Sequence, residues 1–102
     1  MYRLFAVALT LIGCGSEKAR AIASLEGDVV QGASLYATHC LTCHGEDGKS
    51  GSANEDIVHA LHHGETHIID GILYGIDTMP AFESILSDQD IADIMAFLHT
   101  LE

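Results

Sequence analysis

The residues Cys40-Leu41-Thr42-Cys43-His44 constrain this chain more than any other stretch, because they gather two thiols and an imidazole within little more than one helical turn. Thiols at that spacing can bond two vinyl-derived carbons on one side of a porphyrin, and His44 then projects its imidazole under the iron. This is the C-x-x-C-H arrangement of covalent haem attachment. A zinc half-site and a dithiol redox pair share the C-x-x-C spacing. The chain has only three cysteines, which excludes a four-cysteine zinc site, and no βαβ pattern surrounds the motif as a thioredoxin-like pair requires.

The first residues say where such a motif would work. Arg3 precedes an apolar run from Leu4 to Ile12 broken only by Thr10, and Gly13, Cys14 and Gly15 follow. A basic start, an apolar stretch of roughly 7 to 15 residues and small residues at a cleavage point make a secretory signal, too short for the roughly 20 residues of a membrane span. Leu11-Ile12-Gly13-Cys14 also resembles the lipobox of bacterial lipoproteins, whose cysteine is acylated and becomes the first mature residue. This reading predicts a signal peptide over 1–13, a lipid-anchored tether over 14–27 and a folded domain over 28–102. It places the domain on the periplasmic side of a bacterial membrane, the outer membrane favoured because Gly15 and Ser16, not aspartate, follow Cys14. An uncleaved anchor and an ordinary signal with an incidental cysteine are the alternatives. Export also favours haem, because two such thiols in an oxidising compartment would otherwise pair.

At 102 residues the chain is one small domain. Fifteen acidic against four basic side chains give a formal charge of -11, the wrong sign for neutralising phosphates, so nucleic acid is excluded as a partner. Four helical signals and no convincing alternating run make the domain all-α. Asp28 followed by Gln31 starts a helix through Tyr36 toward Cys40. Asn54 caps a second, with Glu55 and Asp56 in its first turn, His59, His62 and His63 near its end and Gly64 as its stop. Thr66 and Gly75 bracket a third, whose Ile69, Ile72 and Leu73 share a face. Ser87 and Asp90 open the fourth, where Ile91, Ile94, Met95, Leu98 and Leu101 recur at three- and four-residue steps and must be buried.

Taken together these residues resemble a small class I cytochrome c over about Asp28 to Leu101. Gly32 and Tyr36 match the family's first helix, where a glycine admits the C-terminal helix and an aromatic packs at the crossing; Ile94 and Phe97 match the last helix. Gly45, Gly48 and Gly51 match the glycine-rich turn after the motif. Gly75 and then Thr78-Met79-Pro80-Ala81-Phe82 resemble the segment that delivers a methionine thioether as sixth ligand. The resemblance implies about four helices packed around one covalent haem c, held by Cys40 and Cys43 and ligated axially by His44 and Met79. It implies a monomeric one-electron carrier, not an enzyme, working between exported or membrane redox proteins.

The family's usual proline after the motif is missing, since nothing before Pro80 is proline. Some carbonyl in Ser50–Ala53 is therefore expected to orient His44. Met79 competes with Met95, which the apolar stripe of the last helix explains as packing, whereas Pro80 pushes Met79 toward an extended, inward-reaching conformation. Phe82 and Tyr74 are expected against the haem. His59, His63 and His67 at four-residue spacing, with His62, read either as a metal-binding stripe or as solvated side chains at a helix C-terminus, and a histidine is the alternative to Met79 on the iron; His39 and His99 read as solvated surface. Glu46, Asp47, Glu55, Asp56, Glu65, Asp70 and Asp77 lie between the motif and Met79, so a partner is expected to present a basic docking patch. Two other classes remain open: a gas- or peroxide-reactive haem protein with an open or His-ligated sixth position, and a haem-free metal-binding lipoprotein.

Overall fold

Side chains placed to accept free amide hydrogens start four helices in this chain. Ser16, Asp28, Asp56 and Ser87 each stand in extended backbone and accept from an N–H in the first turn of the helix that follows. The computed structural model describes residues 15–102. Over them run six helices: α1 Glu17–Ala23, α2 Val29–His39, α3 Leu41–His44, α4 Ile57–Leu61, α5 Glu65–Tyr74 and α6 Asp88–His99. Among the described residues the sole strand-like pairing is the isolated bridge between Ile76 and Met79. The domain is all-α, as its periodicity predicts.

The two longest helices, α2 and α6, make the most extensive contact. At their crossing a β-carbon on Gly32 would lie 1.8 Å from the carbonyl oxygen of Asp93, so only glycine lets the backbones meet. The Tyr36 and Phe97 rings pack tilted beside it, 5.1 Å apart. Asp93, 5% exposed, is satisfied there by the Asp28 N–H at 2.8 Å and the Gln89 amide at 2.9 Å. Ile91, Ile94, Met95 and Leu98 on α6 and Ile69, Ile72 and Leu73 on α5 form the core with Tyr36 and Leu61.

Three expectations change. Residues 17–23, expected within a tether, form a packed helix: Ala19 and Ile22 are fully buried and α1 lies on α5 and α6. Its apolar stripe is only Ala19, Ile22 and Ala23, one turn long and flanked by charge, too short to register as periodicity. Ser16 fixes its start, donating its N–H and its hydroxyl to Asp70 on α5 at 3.0 and 2.6 Å. The cap of α4 is Asp56, not Asn54, which turns with a positive φ of 57°. Finally, Gly64 does not merely stop α4, which ends at Leu61; it caps α5, two residues ahead of the expected Thr66. The predicted signal peptide and Cys14 lie outside the described residues.

Candidate functional site

The C-x-x-C-H residues occupy the end of α2 and the single turn α3. Cys40 closes α2 by donating its N–H to the Tyr36 carbonyl, and the Cys43 and His44 amides then fold back on the Cys40 carbonyl at 3.3 and 2.9 Å. The following loop is stitched to this turn: Ala53 N–H donates to Cys43 O at 2.7 Å and Gly51 N–H to His44 O at 3.3 Å. A side chain at Gly51 would strike Cys43 O at 2.2 Å, so a glycine here is what lets the loop lie directly on the motif. The Tyr36 hydroxyl donates to Gly45 O at 2.6 Å, and burial pushes this phenol up to about 12.

Met79 comes from the other end of the site. Ile76 and Met79 exchange both backbone hydrogen bonds, at 3.1 and 2.8 Å, closing a tight turn in which Asp77 takes a positive φ of 51°. The Phe82 and Glu83 amides then bond back to Ile72 O and Leu73 O on α5. The methionine thus sits on a loop tied at both ends, and it is half-buried.

These elements enclose a cavity of about 580 Å³, within the range of roughly 300–1,000 Å³ usual for cofactor sites. Cys40, Cys43, His44 and Met79 all line it, with Ile68, Ile72, Ile94, Leu98 and Phe82 supplying apolar wall. Met95 does not line it and is buried in the α6 core. Tyr74, expected at the haem, is half exposed and faces a separate shallow groove beside Ser16. His39, expected at the solvent, is half-buried, lines the cavity and meets the Phe82 ring edge-on at 5.7 Å. His67 also lines it, whereas His59, His62 and His63 do not. His99, likewise expected as plain surface, holds Glu65 at 2.7 Å and Glu102 at 3.4 Å, joining α6 to the start of α5. Its place one turn from the chain end gave no sequence signal for a partner 34 residues away.

The donor set fits a haem. A buried Nδ1 on His44 has no hydrogen-bond partner, so the carbonyl expected from Ser50–Ala53 does not reach it; Gly51 O instead accepts from Asn54. Burial lowers the His44 pKa against the opposing pull of Glu55, keeping the imidazole neutral, the form that ligates iron. Burial, reinforced by Cys43, raises the Cys40 thiol to about 11. Among the described residues no group of three or more His, Cys, Asp or Glu side chains is arranged to hold a bare metal ion.

A family model described as cytochrome c oxidase, cbb3-type, subunit III, matches residues 27–98. The cytochromes c6 of Thermosynechococcus vestitus and Thermostichus vulcanus are each 32% identical over 81 residues, covering 74% of this chain and 72% of theirs. The cbb3-type cytochrome c oxidase subunit FixP of Azorhizobium caulinodans is 34% identical over 86 residues, 70% of this chain and 26% of that subunit.

Proposed function

The chain belongs to the class I monohaem cytochrome c family and carries one covalent haem c, and from that premise we propose that it is a one-electron carrier whose iron is held between His44 and Met79. The observation that carries this reading is the single cavity lined by both thiols, the neutral imidazole and the half-buried thioether. When bound, haem c supplies a one-electron Fe(III)/Fe(II) couple. The residues do the rest. Cys40 and Cys43 fix the ring's position, His44 supplies a nitrogen donor, and the Ile76–Met79 turn holds the methionine sulfur against relaxation. His44 and Met79 would together hold the iron and leave no place on it for oxygen or a substrate, and exposed Cys43 lies where the cavity lining meets solvent.

Around this centre the rest of the reading follows from the sequence. Cys14 anchors the mature chain by lipid to the periplasmic side of a bacterial membrane, and the acidic surface receives redox proteins that present a basic patch. Among the described residues no helix is long and apolar enough to cross a membrane. The relatives' names, a cytochrome c6 and a subunit of a cytochrome c oxidase, both fit electron delivery.

Met79→Leu tests the ligation while keeping size and polarity nearly constant. The expected variant retains covalent haem, shows an altered oxidised spectrum, binds carbon monoxide when reduced and has a lowered reduction potential, because Met/His ligation raises it. An unchanged spectrum and potential overturn Met79 as ligand and point to His39 or His67, which line the same cavity.

A further inference from the structure

The histidines that the haem site leaves unused contain one close pair. His59 on α4 and His63 in the turn after it are both exposed, their rings stand 5.1 Å apart between centroids at 69°, and their Nε2 atoms approach to 3.4 Å. We propose that His59 and His63 chelate a divalent transition-metal ion of the Zn2+ or Cu2+ class on the outer face of α4.

The distance carries the proposal. Two nitrogens that each sit about 2.0–2.1 Å from a tetrahedral Zn2+ are themselves about 3.3–3.4 Å apart, which is the separation observed here. A single hydrogen bond between neutral imidazoles also brings two Nε2 atoms together, but it requires one of them to carry the proton. Chelation requires both Nε2 lone pairs, so the one proton held on Nε2 moves to the Nδ1 of its own ring and both Nδ1–H groups donate to solvent; the two states exclude each other. His62 lies on a different side of the turn, its ring 6.5 Å from that of His59, and His67 faces the haem cavity. With no third protein donor arranged beside them among the described residues, water completes the shell.

The surroundings suit a cation. The whole chain carries a formal charge of -11. Ile57 and Ala60 of α4 line the haem cavity while His59 faces water, so the ion would sit behind the cavity wall, not in it. Imidazole ligands select against Mg2+ and Ca2+, which prefer oxygen, and the order of affinity should run Cu2+ above Zn2+ above Mn2+.

The test uses tag-free, haem-loaded protein, in which Cys40 and Cys43 are thioethers and cannot compete as thiolates. Calorimetric titration with Zn2+ should show one ion per chain, with affinity falling at least roughly 10–100-fold, the range already seen on losing a partner that only supports a ligand, in His59→Ala and equally in His63→Ala. His62→Ala should bind as the parent does. An unchanged haem spectrum and melting temperature would show that each variant is folded. Cu2+ added at one equivalent should give an electron paramagnetic resonance signal split by two imidazole nitrogens. The proposal is overturned by a parent protein that takes up no Zn2+, by a His59→Ala/His63→Ala double variant that binds like the parent, or by a copper signal with one nitrogen or none.

Discussion

The same two helices form the α2–α6 crossing and border the cavity beside it, and the two regions are filled in opposite ways. At the crossing, Gly32 lies against the Asp93 carbonyl, the one buried carboxylate has its donors, and Tyr36 stacks on Phe97. A turn away, Tyr36, His39, Ile94 and Leu98 from those helices border about 580 Å³ that no side chain fills. At roughly 24 cal/mol per Å³, a cavity of that size would cost about 14 kcal/mol if it stayed dry, comparable to the roughly 5–15 kcal/mol by which small domains are stable at all. Water entering at the rim lowers that figure without satisfying Ile68, Ile72, Ile94 and Leu98. One region is complete as protein; the other, on the proposed attachment at Cys40 and Cys43, would take the haem as the missing part of its core.

The largest effect should come from denying the second region its cofactor. Cys43→Ala or His44→Ala should leave no stable holoprotein, seen as loss of haem stain on a denaturing gel and of a cooperative melt; covalent haem at parental levels in both variants refutes the site. Breaking the first region should cost less and leave haem attached. Gly32→Ala forces a methyl into a backbone carbonyl that cannot rotate away, so about 3 kcal/mol or more should disappear from urea unfolding. Parental stability there would mean that the two helices can separate freely.

Ile22→Ala asks whether α1 belongs to the packed unit. A fully buried isoleucine truncated in place should cost about 2–5 kcal/mol, whereas a side chain on a free tether would cost almost nothing. The smallest effect joins the two regions. Tyr36→Phe removes the 2.6 Å bond to Gly45 O and should cost about 1 kcal/mol near neutral pH. It should also change the alkaline limb. The phenol titrates at about 12 in the fold and at 10.0 as the reference value. The folded state therefore holds the proton over that window; its contribution is complete below pH 10.0 and is lost as pH rises toward about 12. The parent should lose stability more steeply than Tyr36→Phe across it, and parallel profiles would show that the hydroxyl is not buried.

Features that act through chain-local chemistry were legible without coordinates. The motif, the Ser87–Asp90 capping box, the Asp28 cap and the apolar stripe of α6 each lie within a few residues of one another and were read in place. Gly32 was readable only through the family resemblance, because its reason is a contact with Asp93, sixty-one positions away. The failures share that cause. Nothing near Ser16 announces that Asp70 will cap it, nothing near His99 announces Glu65, and the solvated reading of His39 ignored the Phe82 ring brought in by a loop from α5. Asn54 lost the cap of α4 to Asp56 because both are good capping residues two positions apart, and a choice between them depends on where the preceding loop lands on Gly48, whose carbonyl receives the Ile57 amide.

The clamp between Ser16 and Asp70 sets the mechanical freedom of whatever is joined to residue 14. From there to Ser16 is two residues, and extended chain spans roughly 3.3–3.6 Å per residue, so an attachment at that point stays within about 7 Å of a pinned position on α5. Tyr74 and Ile76 border the groove beside this pivot, and Ile76 also borders the haem cavity. With the lipid proposed at Cys14, a domain mounted so closely would rock without sweeping a wide arc, and its partners would have to diffuse to it.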